Sequence, residues 1–336
     1  MTMEISESLS NKIANMGFVS ACLVVLLHIF PSCDNGSSLR LWDDFIACGP
    51  GRAAVPFFAL VSGLMLGRHC AKSGWYRVEV KKRIRTLLVP FVIWNCCFAA
   101  FGISGGFGLF FDRCAGMLDP FHQPTLGPLW YVRSLFVFVL CSPILVGMVR
   151  KCPRVVLSTL FVLSATLCIP GSRRLTLLVT LFHLEALLYF SAGLAIAVSR
   201  VEWGACWPGW VCAFGAVAIV LTGVRMGLKQ DGGFLYHFLR AFVVPGWLMM
   251  IWMITPSRRW SARVTACAFP IYLMHYFVFV ISRKILGQCI HNAWEGYFIL
   301  AISGVLIPIV TFNFLCRVLP QLADVLFGGR VLKRSG

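Results

Sequence analysis

Long apolar runs recur along almost the whole chain, and short polar or basic stretches separate them. A helix needs roughly 20 mainly apolar residues to cross the hydrocarbon core of a bilayer. These runs are apolar on every face, which is typical of helices whose outer solvent is lipid. The pattern predicts ten membrane-spanning helices, at 13–30, 50–67, 87–106, 128–149, 154–170, 175–198, 204–224, 234–255, 264–282 and 295–316.

Composition leads to the same class of protein. Of the 336 residues, 59% are hydrophobic and only 13% are charged, about half the charged share of ~25% in soluble domains. We therefore expect an all-α integral membrane protein, with a membrane domain at 13–316 between a short N-terminal segment (1–12) and a basic tail (317–336). The net charge of +17 does not indicate a nucleic-acid partner, because the basic residues lie in short clusters between apolar runs.

The distribution of Lys and Arg predicts the orientation. The loops predicted on the same side of the membrane as the N-terminus carry more than twice as many of these residues as the loops on the opposite side. Because basic residues are enriched in cytoplasmic loops, both termini are expected in the cytoplasm.

Ionisable side chains inside the predicted spans concentrate in the outer half of the membrane. Such groups are costly in a bilayer and usually have a function. Their shared depth predicts a polar cavity that opens towards the extracytoplasmic side. The eight residues are His28, Arg52, Arg133, His183, Glu185, His237, Arg240 and His275.

Several of these residues also fit a structural role. His183 and His237 fit hydrogen bonds that join two helices better than they fit a catalytic role. Arg52 and Arg240 lie close enough to the membrane interface to extend their charge into water. Glu185 is expected to neutralise a nearby Arg or His. His28, His275 and Arg133 lie among long apolar runs, and we regard these three as the stronger functional candidates.

Histidine and arginine together favour acyl or phosphoryl transfer. A neutral imidazole is the usual general base for a hydroxyl, and a guanidinium stabilises a developing oxyanion. The cavity is expected to contain few carboxylates, which argues against glycoside hydrolysis. No set of His, Cys, Asp and Glu has the spacing of metal ligands, so we predict no metal site.

A basic run crowds the predicted inner loop between the second and third spans, and it includes Lys82, Arg83 and Arg85. Membrane orientation and contact with anionic lipid headgroups explain most runs of this kind. The alternative is a binding site for a phosphorylated cytosolic cofactor. Composition alone favours the first explanation and leaves the second open.

Six segments together resemble the acyltransferase family 3 of bacterial membrane proteins, which O-acylate surface carbohydrates. No segment is specific alone, but all six occur in the family's order. They are an apolar helix that closes on His (24–28), a run through Val-Pro-Phe-Phe to Ser-Gly (51–63), a basic run that closes on Pro (81–90), Leu-Trp-Tyr-Val (129–132), Phe-Ser-Ala-Gly (190–193) and Ile-Tyr-Leu-Met-His (271–275).

The resemblance implies transfer of an acyl group, commonly acetyl, from cytoplasmic acyl-CoA to a carbohydrate or glycolipid hydroxyl at the outer side of the bacterial inner membrane. It makes His28 the leading catalytic residue and relates Arg83 and Arg85, beside Lys82, to the acyl donor. The chain departs from the family at Gly17, where an Arg commonly precedes the first-helix His by about three turns.

We therefore hypothesise that His28 acts as a general base and that Arg52 or Arg133 stabilises the oxyanion, while His275 orients the acceptor or relays a proton. A covalent acyl-histidine intermediate is a second possibility. Two other functions remain open, a transporter or flippase for a lipid-linked sugar and a non-catalytic envelope assembly factor. The sequence predicts contact with membrane lipids and leaves the oligomeric state undetermined.

Overall fold

The computed structural model describes residues 5–31, 34, 36–101, 106–117, 119, 123–166, 183–199, 208–286 and 292–330, and every regular element in these ranges is helical. Short 3-10 segments at Pro50–Ala53 and Gly127–Leu129 and a π-helical segment at Ile84–Leu88 interrupt the α-helices. The α-helices are α1 (Glu7–Leu27), α2 (Ser38–Cys48), α3 (Ala54–Gly67), α4 (Trp75–Arg83), α5 (Val89–Phe101), α6 (Gly106–Gly116), α7 (Trp130–Leu140), α8 (Ser142–Lys151), α9 (Pro153–Thr166), α10 (Leu184–Ser199), α11 (Pro208–Gly227), α12 (Phe234–Ile254), α13 (Ala262–Thr265), α14 (Ala268–Leu286), α15 (Ala293–Val318) and α16 (Pro320–Leu326).

The helices confirm a multi-pass membrane protein but not ten spans. Six described helical stretches are long and apolar enough to cross a bilayer, if α2 to α3 (Ser38–Gly67) and α4 to α5 (Trp75–Phe101) each count as one stretch, or seven if one bent pair forms a single span. Helices α9 and α10 and the apolar part of α11 are shorter. They correspond to the predicted spans 154–170, 175–198 and 204–224, and the remaining parts of these predictions lie wholly or partly outside the described residues.

The predicted span 128–149 is a bent pair of helices. The segments Gly127–Leu140 and Ser142–Lys151 meet at 67°. Pro143 has no backbone N–H and therefore cannot bond to the carbonyl of Val139 four residues earlier. The Ser142 hydroxyl donates to that carbonyl instead, at 2.6 Å. A proline and a compensating hydroxyl thus explain why one apolar run forms two helices.

A second interruption lies on the basic run. The backbone is π-helical from Ile84 to Leu88, and Pro90 follows in α5. Pro90 cannot donate to the carbonyl of Thr86, which is four residues earlier. The Arg330 Nη1 donates to this carbonyl at 3.2 Å. The C-terminal segment of the chain therefore packs against the irregular part of the basic run.

The centre of the molecule is formed by α1, α3, α10 and α14. Helix α1 packs between α14 and α3, and α3 packs closely along α10. Side chains such as Val25, Leu64, Phe190 and Ile271 are fully buried there. This packing places the C-terminal end of α1 beside α14 and beside the start of α3.

Helices α3 and α10 approach each other through two glycines. A Cβ atom at Gly63 would overlap the carbonyl of Phe190, and a Cβ at Gly193 would overlap the carbonyl of Leu60. Small residues allow this kind of close backbone approach between membrane helices. The Ser-Gly and Phe-Ser-Ala-Gly motifs therefore meet at one helix-helix contact.

We predict that Gly193→Ala destabilises the protein, because the added methyl group forces α3 and α10 apart. Overpacking of this kind costs about 1–3 kcal/mol, which thermal unfolding in detergent will report as a lower Tm. Gly223→Ala is the matched control, because a Cβ at Gly223 meets nothing within 4 Å. Equal Tm values for the two variants would contradict the close contact.

Candidate active site

Six of the eight ionisable residues predicted from their membrane depth line one cavity of about 310 Å³, which we call the histidine cavity. It lies where α1 ends and where α3, α10 and α12 begin. This confirms the predicted grouping for these six residues, whereas Arg133 and His275 are not in the described lining, and the side of the membrane that the cavity faces stays a prediction. The six residues are His28, Arg52, His183, Glu185, His237 and Arg240.

His28 is held in one tautomer by the end of α1. Its backbone N–H bonds to the carbonyl of Val25 at 3.1 Å, and its Nδ1 bonds to the carbonyl of Val24 at 2.8 Å. Because a carbonyl oxygen only accepts, Nδ1 carries the proton in this bond. In the neutral ring, Nε2 therefore has a free lone pair, as a general base requires.

His275 lies directly beside His28, with 5.2 Å between the ring centroids. It is fully buried, and its Nδ1 bonds to the carbonyls of Tyr272 at 2.9 Å and Ile271 at 3.2 Å. Its Nε2 has no hydrogen-bond partner among the described residues. Two imidazoles of the same tautomer therefore lie side by side, and each has an Nε2 lone pair.

Arg52 lines the histidine cavity together with His28. It belongs to the 3-10 segment between α2 and α3, and its Nε donates to the carbonyl of Ala47 at 2.9 Å. No described residue accepts a hydrogen bond from its terminal nitrogens. The guanidinium is therefore fixed at one atom, with donors left for a ligand.

Glu185 and Arg240 form an ion pair on another wall of the cavity. Arg240 donates through Nε and Nη2 to the two carboxylate oxygens. This two-pronged geometry is typical of strong Arg-carboxylate pairs. The expectation that Glu185 neutralises a nearby cation is confirmed. The pair cancels its own charge, so Arg52 leaves the described lining of the cavity net positive.

Arg133 does not line the histidine cavity. It lies one turn beyond Trp130, which does line the cavity and packs against His183 with 3.8 Å between the ring centroids. The Arg133 side chain is buried, and its Nη1 donates to the carbonyl of Asp119 at 2.5 Å. Of the two arginines that the sequence offers as oxyanion ligands, Arg52 has the better position.

A second cavity, of about 240 Å³, lies further along α3, α7 and α14, and we call it the tyrosine cavity. Its walls are mostly aromatic and aliphatic, with a few polar groups and two arginines at one end. It is lined by Phe58, Ser62, Arg83, Leu87, Tyr131, Val132, Leu135, Thr265, Ala266, Ala268, Phe269, Tyr272 and Arg330.

The two cavities approach each other across one turn of α14. Tyr272 lines the tyrosine cavity, and its hydroxyl donates to the carbonyl of Pro128. His275, three residues later, contacts both Tyr272, at 6.1 Å between centroids, and His28. Two neighbouring residues of α7 also face different cavities, because Trp130 lines the histidine cavity and Tyr131 lines the tyrosine cavity. The paired histidines therefore lie near the boundary between two chambers.

The basic run is divided between the tyrosine cavity and an open groove of about 960 Å³, the basic groove. Lys82 and Arg85 line the groove, whereas Arg83 lines the cavity. Glu79 pairs with Arg83 at 3.4 Å and with Lys82 at 3.8 Å. The three residues that were predicted to bind the acyl donor thus lie close together, but two of them face the basic groove and one faces the tyrosine cavity.

Sequence reasoning missed Arg330, which it placed in a basic tail as one more charge that sets orientation. Its position in the tyrosine cavity depends on a contact with Thr86, 244 residues away in the chain. No local pattern signals such a contact.

Comparison with known proteins gives two matches. A family model described as an acyltransferase domain, family 3, matches residues 16–313. The succinoglycan biosynthesis protein ExoH of Rhizobium meliloti (strain 1021) is 26% identical over 304 residues, which cover 83% of this chain and 80% of that protein. No solved structure matches the chain.

Proposed function

The chain belongs to acyltransferase family 3, and from that premise we propose that it transfers an acyl group from acyl-CoA to a carbohydrate hydroxyl across the bacterial inner membrane. The observation that carries the proposal is the pair of cavities with His28 and His275 at their boundary. A donor and an acceptor that enter from opposite sides need such an arrangement. Acetyl is the acyl group that we propose first.

The acceptor is proposed to be a surface polysaccharide or its lipid-linked precursor. ExoH, the similar protein, bears a name that assigns it to succinoglycan biosynthesis. The histidine cavity suits a hydroxyl-rich ligand, because three His, two Arg and one Glu line it together with Trp130. In the proposed topology this cavity opens towards the outside.

His28 is the proposed general base. Its Nε2 lone pair accepts the proton of the acceptor hydroxyl while the hydroxyl oxygen attacks the thioester carbonyl. A C–O bond forms and the carbonyl oxygen becomes an oxyanion. When the intermediate collapses, the C–S bond breaks and the departing thiolate takes the proton from the His28 imidazolium. Protons and charges balance without a covalent acyl-enzyme.

Arg52 is the proposed stabiliser of the oxyanion. Preorganised donors in a site that excludes water stabilise charge that develops in a transition state. The contact with Ala47 fixes one nitrogen of the guanidinium, so little reorganisation is needed when the oxyanion forms.

His275 is the proposed partner of the His28 imidazolium. Once His28 is protonated, its Nε2–H becomes a donor, and the His275 Nε2 is a buried acceptor without a partner among the described residues. A hydrogen bond between the rings would stabilise the proton on His28 until the thiolate leaves.

The donor is proposed to approach from the basic groove and to place its acyl arm in the tyrosine cavity. Lys82 and Arg85 line the groove, and Arg83 lines the cavity. The mostly apolar walls of the cavity suit the acyl group and the pantetheine arm.

Release of free thiol from acetyl-CoA by the purified protein in detergent tests this function. We expect slow release with water as acceptor and faster release when a glycan fraction from the source cells is added. Other short acyl-CoA thioesters are assayed in parallel. No thiol release from any donor, together with no thermal shift by CoA, would contradict the proposal and favour the transporter hypothesis.

A further inference from the structure

The C-terminal segment 320–330 lies beyond the part of the chain that the family model matches. It nevertheless lines both the basic groove and the tyrosine cavity, which we call the donor spaces. Asp324 pairs with Arg85, and the Trp94 Nε1 donates to the carbonyl of Leu326 at 3.1 Å. Asp324 and Gly329 line the basic groove, and Arg330 lines the tyrosine cavity. The segment therefore contacts the space on both sides of the basic run.

Two glycines turn the chain after α16 so that Arg330 reaches the cavity. Gly328 and Gly329 both have positive φ values, +62° and +76°, which glycine adopts without steric cost. A Cβ at Gly328 would overlap the backbone of Thr86. The turn thus packs directly against the π-helical segment that carries Arg85 and that begins just after Arg83.

Arg330 is firmly held at the cavity wall. Its guanidinium stacks on the Phe269 ring at 3.6 Å from the centroid. Among the described residues, Arg330 donates through one terminal nitrogen, Nη1, to backbone carbonyls, including those of Thr86 at 3.2 Å and Phe327 at 3.0 Å. The other nitrogens of the fork are not used in these contacts.

Two guanidiniums therefore share a small cavity whose described lining contains no carboxylate. Glu79 pairs with Arg83 from outside this lining and compensates one charge at most. Burial, and after it the positive charge of Arg83, lower the pKa of Arg330 to about 9. An anion between the two arginines would relieve this repulsion and offset the desolvation of the fork.

We infer that Arg330 and Arg83 together bind the diphosphate group of the donor. This inference rests on the proposed function and deepens it. The tyrosine cavity, about 240 Å³, is too small to enclose a whole CoA thioester, whereas the adjoining basic groove of about 960 Å³ has room for the nucleotide. Thr86 and Gly329 line the groove, whereas Arg330, which donates to the Thr86 carbonyl, lines the cavity, so the two spaces adjoin at this point. The diphosphate joins the nucleotide to the pantetheine arm, so it belongs at this junction.

Binding of three ligands to the purified full-length protein tests the inference, namely CoA, dephospho-CoA and pantetheine. Dephospho-CoA keeps the diphosphate, and pantetheine lacks it. We expect Arg330→Met to weaken CoA and dephospho-CoA equally, by about 10- to 100-fold, and to leave pantetheine unchanged. Methionine keeps an apolar contact with Phe269, and Arg330→Lys keeps the charge and is expected to recover part of the affinity.

The matched control is Arg259→Met, which removes an exposed arginine outside both donor spaces. It is expected to bind all three ligands as the wild type does. If Arg330→Met binds CoA with wild-type affinity, or loses pantetheine to the same extent, Arg330 only clamps the C-terminal turn and the inference is wrong. A wild-type protein that binds none of the three ligands contradicts the proposed function itself.

Discussion

Replacement of His28 by glutamine is expected to lower acyl transfer by about 10²–10⁴-fold, the usual contribution of a general base. Glutamine preserves the polarity and approximate size of the side chain, and its amide can donate to the Val24 carbonyl as Nδ1 does at 2.8 Å. It cannot accept and later return a proton at neutral pH. The measurement is thiol release from the acyl-CoA donor that the wild type turns over, with saturating donor.

His69→Gln is the control for this variant. His69 follows α3 at the end remote from the histidine cavity, so its replacement is expected to leave turnover within about twofold of the wild type. Thermal unfolding of both variants verifies that the folds are intact. A folded His28→Gln protein with wild-type turnover would rule out His28 as the base.

The second large effect is expected at Arg52. Removal of a preorganised oxyanion donor typically costs about 10²–10³-fold in kcat, so Arg52→Met should lower kcat by this amount. The KM for the donor should change little, because the interaction forms mainly in the transition state. Arg52→Lys retains the charge but loses the fork, and we expect it to recover only part of the rate.

The variant Arg133→Met tests which of the two arginines that the sequence offers, Arg52 or Arg133, stabilises the oxyanion. Arg133 is buried but outside the cavity lining, and its Nη1 is bound to the Asp119 carbonyl. Its replacement is therefore expected to lower stability more than kcat. The reverse result, with kcat lost in Arg133→Met and kept in Arg52→Met, would transfer the oxyanion role to Arg133.

The sequence predicted the membership of the histidine cavity well. Ionisable groups are costly in a bilayer, so residues at a similar depth on different helices tend to share one polar space. Only the spans and their direction are needed to compare these depths. His28 and Arg52 lie at a similar predicted depth on neighbouring elements, and Glu185 lies among cations, where it pairs with Arg240.

Two of the family-like motifs have a packing role that the sequence did not reveal. Gly63 and Gly193 each occupy a position where a Cβ would overlap the backbone of the facing helix. Their pairing joins segments that are 130 residues apart, and hydrophobic pattern alone carries no information about such pairs. The Ile-Tyr-Leu-Met-His motif lies between the two cavities. Tyr272 lines the tyrosine cavity, and His275 lies beside His28, which lines the histidine cavity.

The number and shape of the spans were harder to predict. A window of apolar residues does not reveal that Pro143 divides one run into two helices at 67°. Arg330 is the clearest omission, because its site depends on a fold-back of the chain that brings residues 320–330 to the basic run.

The most direct test of the central claim uses sealed, inverted inner-membrane vesicles from the source cells, which carry the acceptor glycan in the lumen. Radiolabelled acetyl-CoA, or the short acyl-CoA that the purified protein uses, is added outside, on the cytoplasmic face. We predict label in the lumenal glycan, resistant to added esterase until detergent opens the vesicles, and absent with His28→Gln. Label that esterase removes from intact vesicles would contradict a donor and an acceptor that meet from opposite sides.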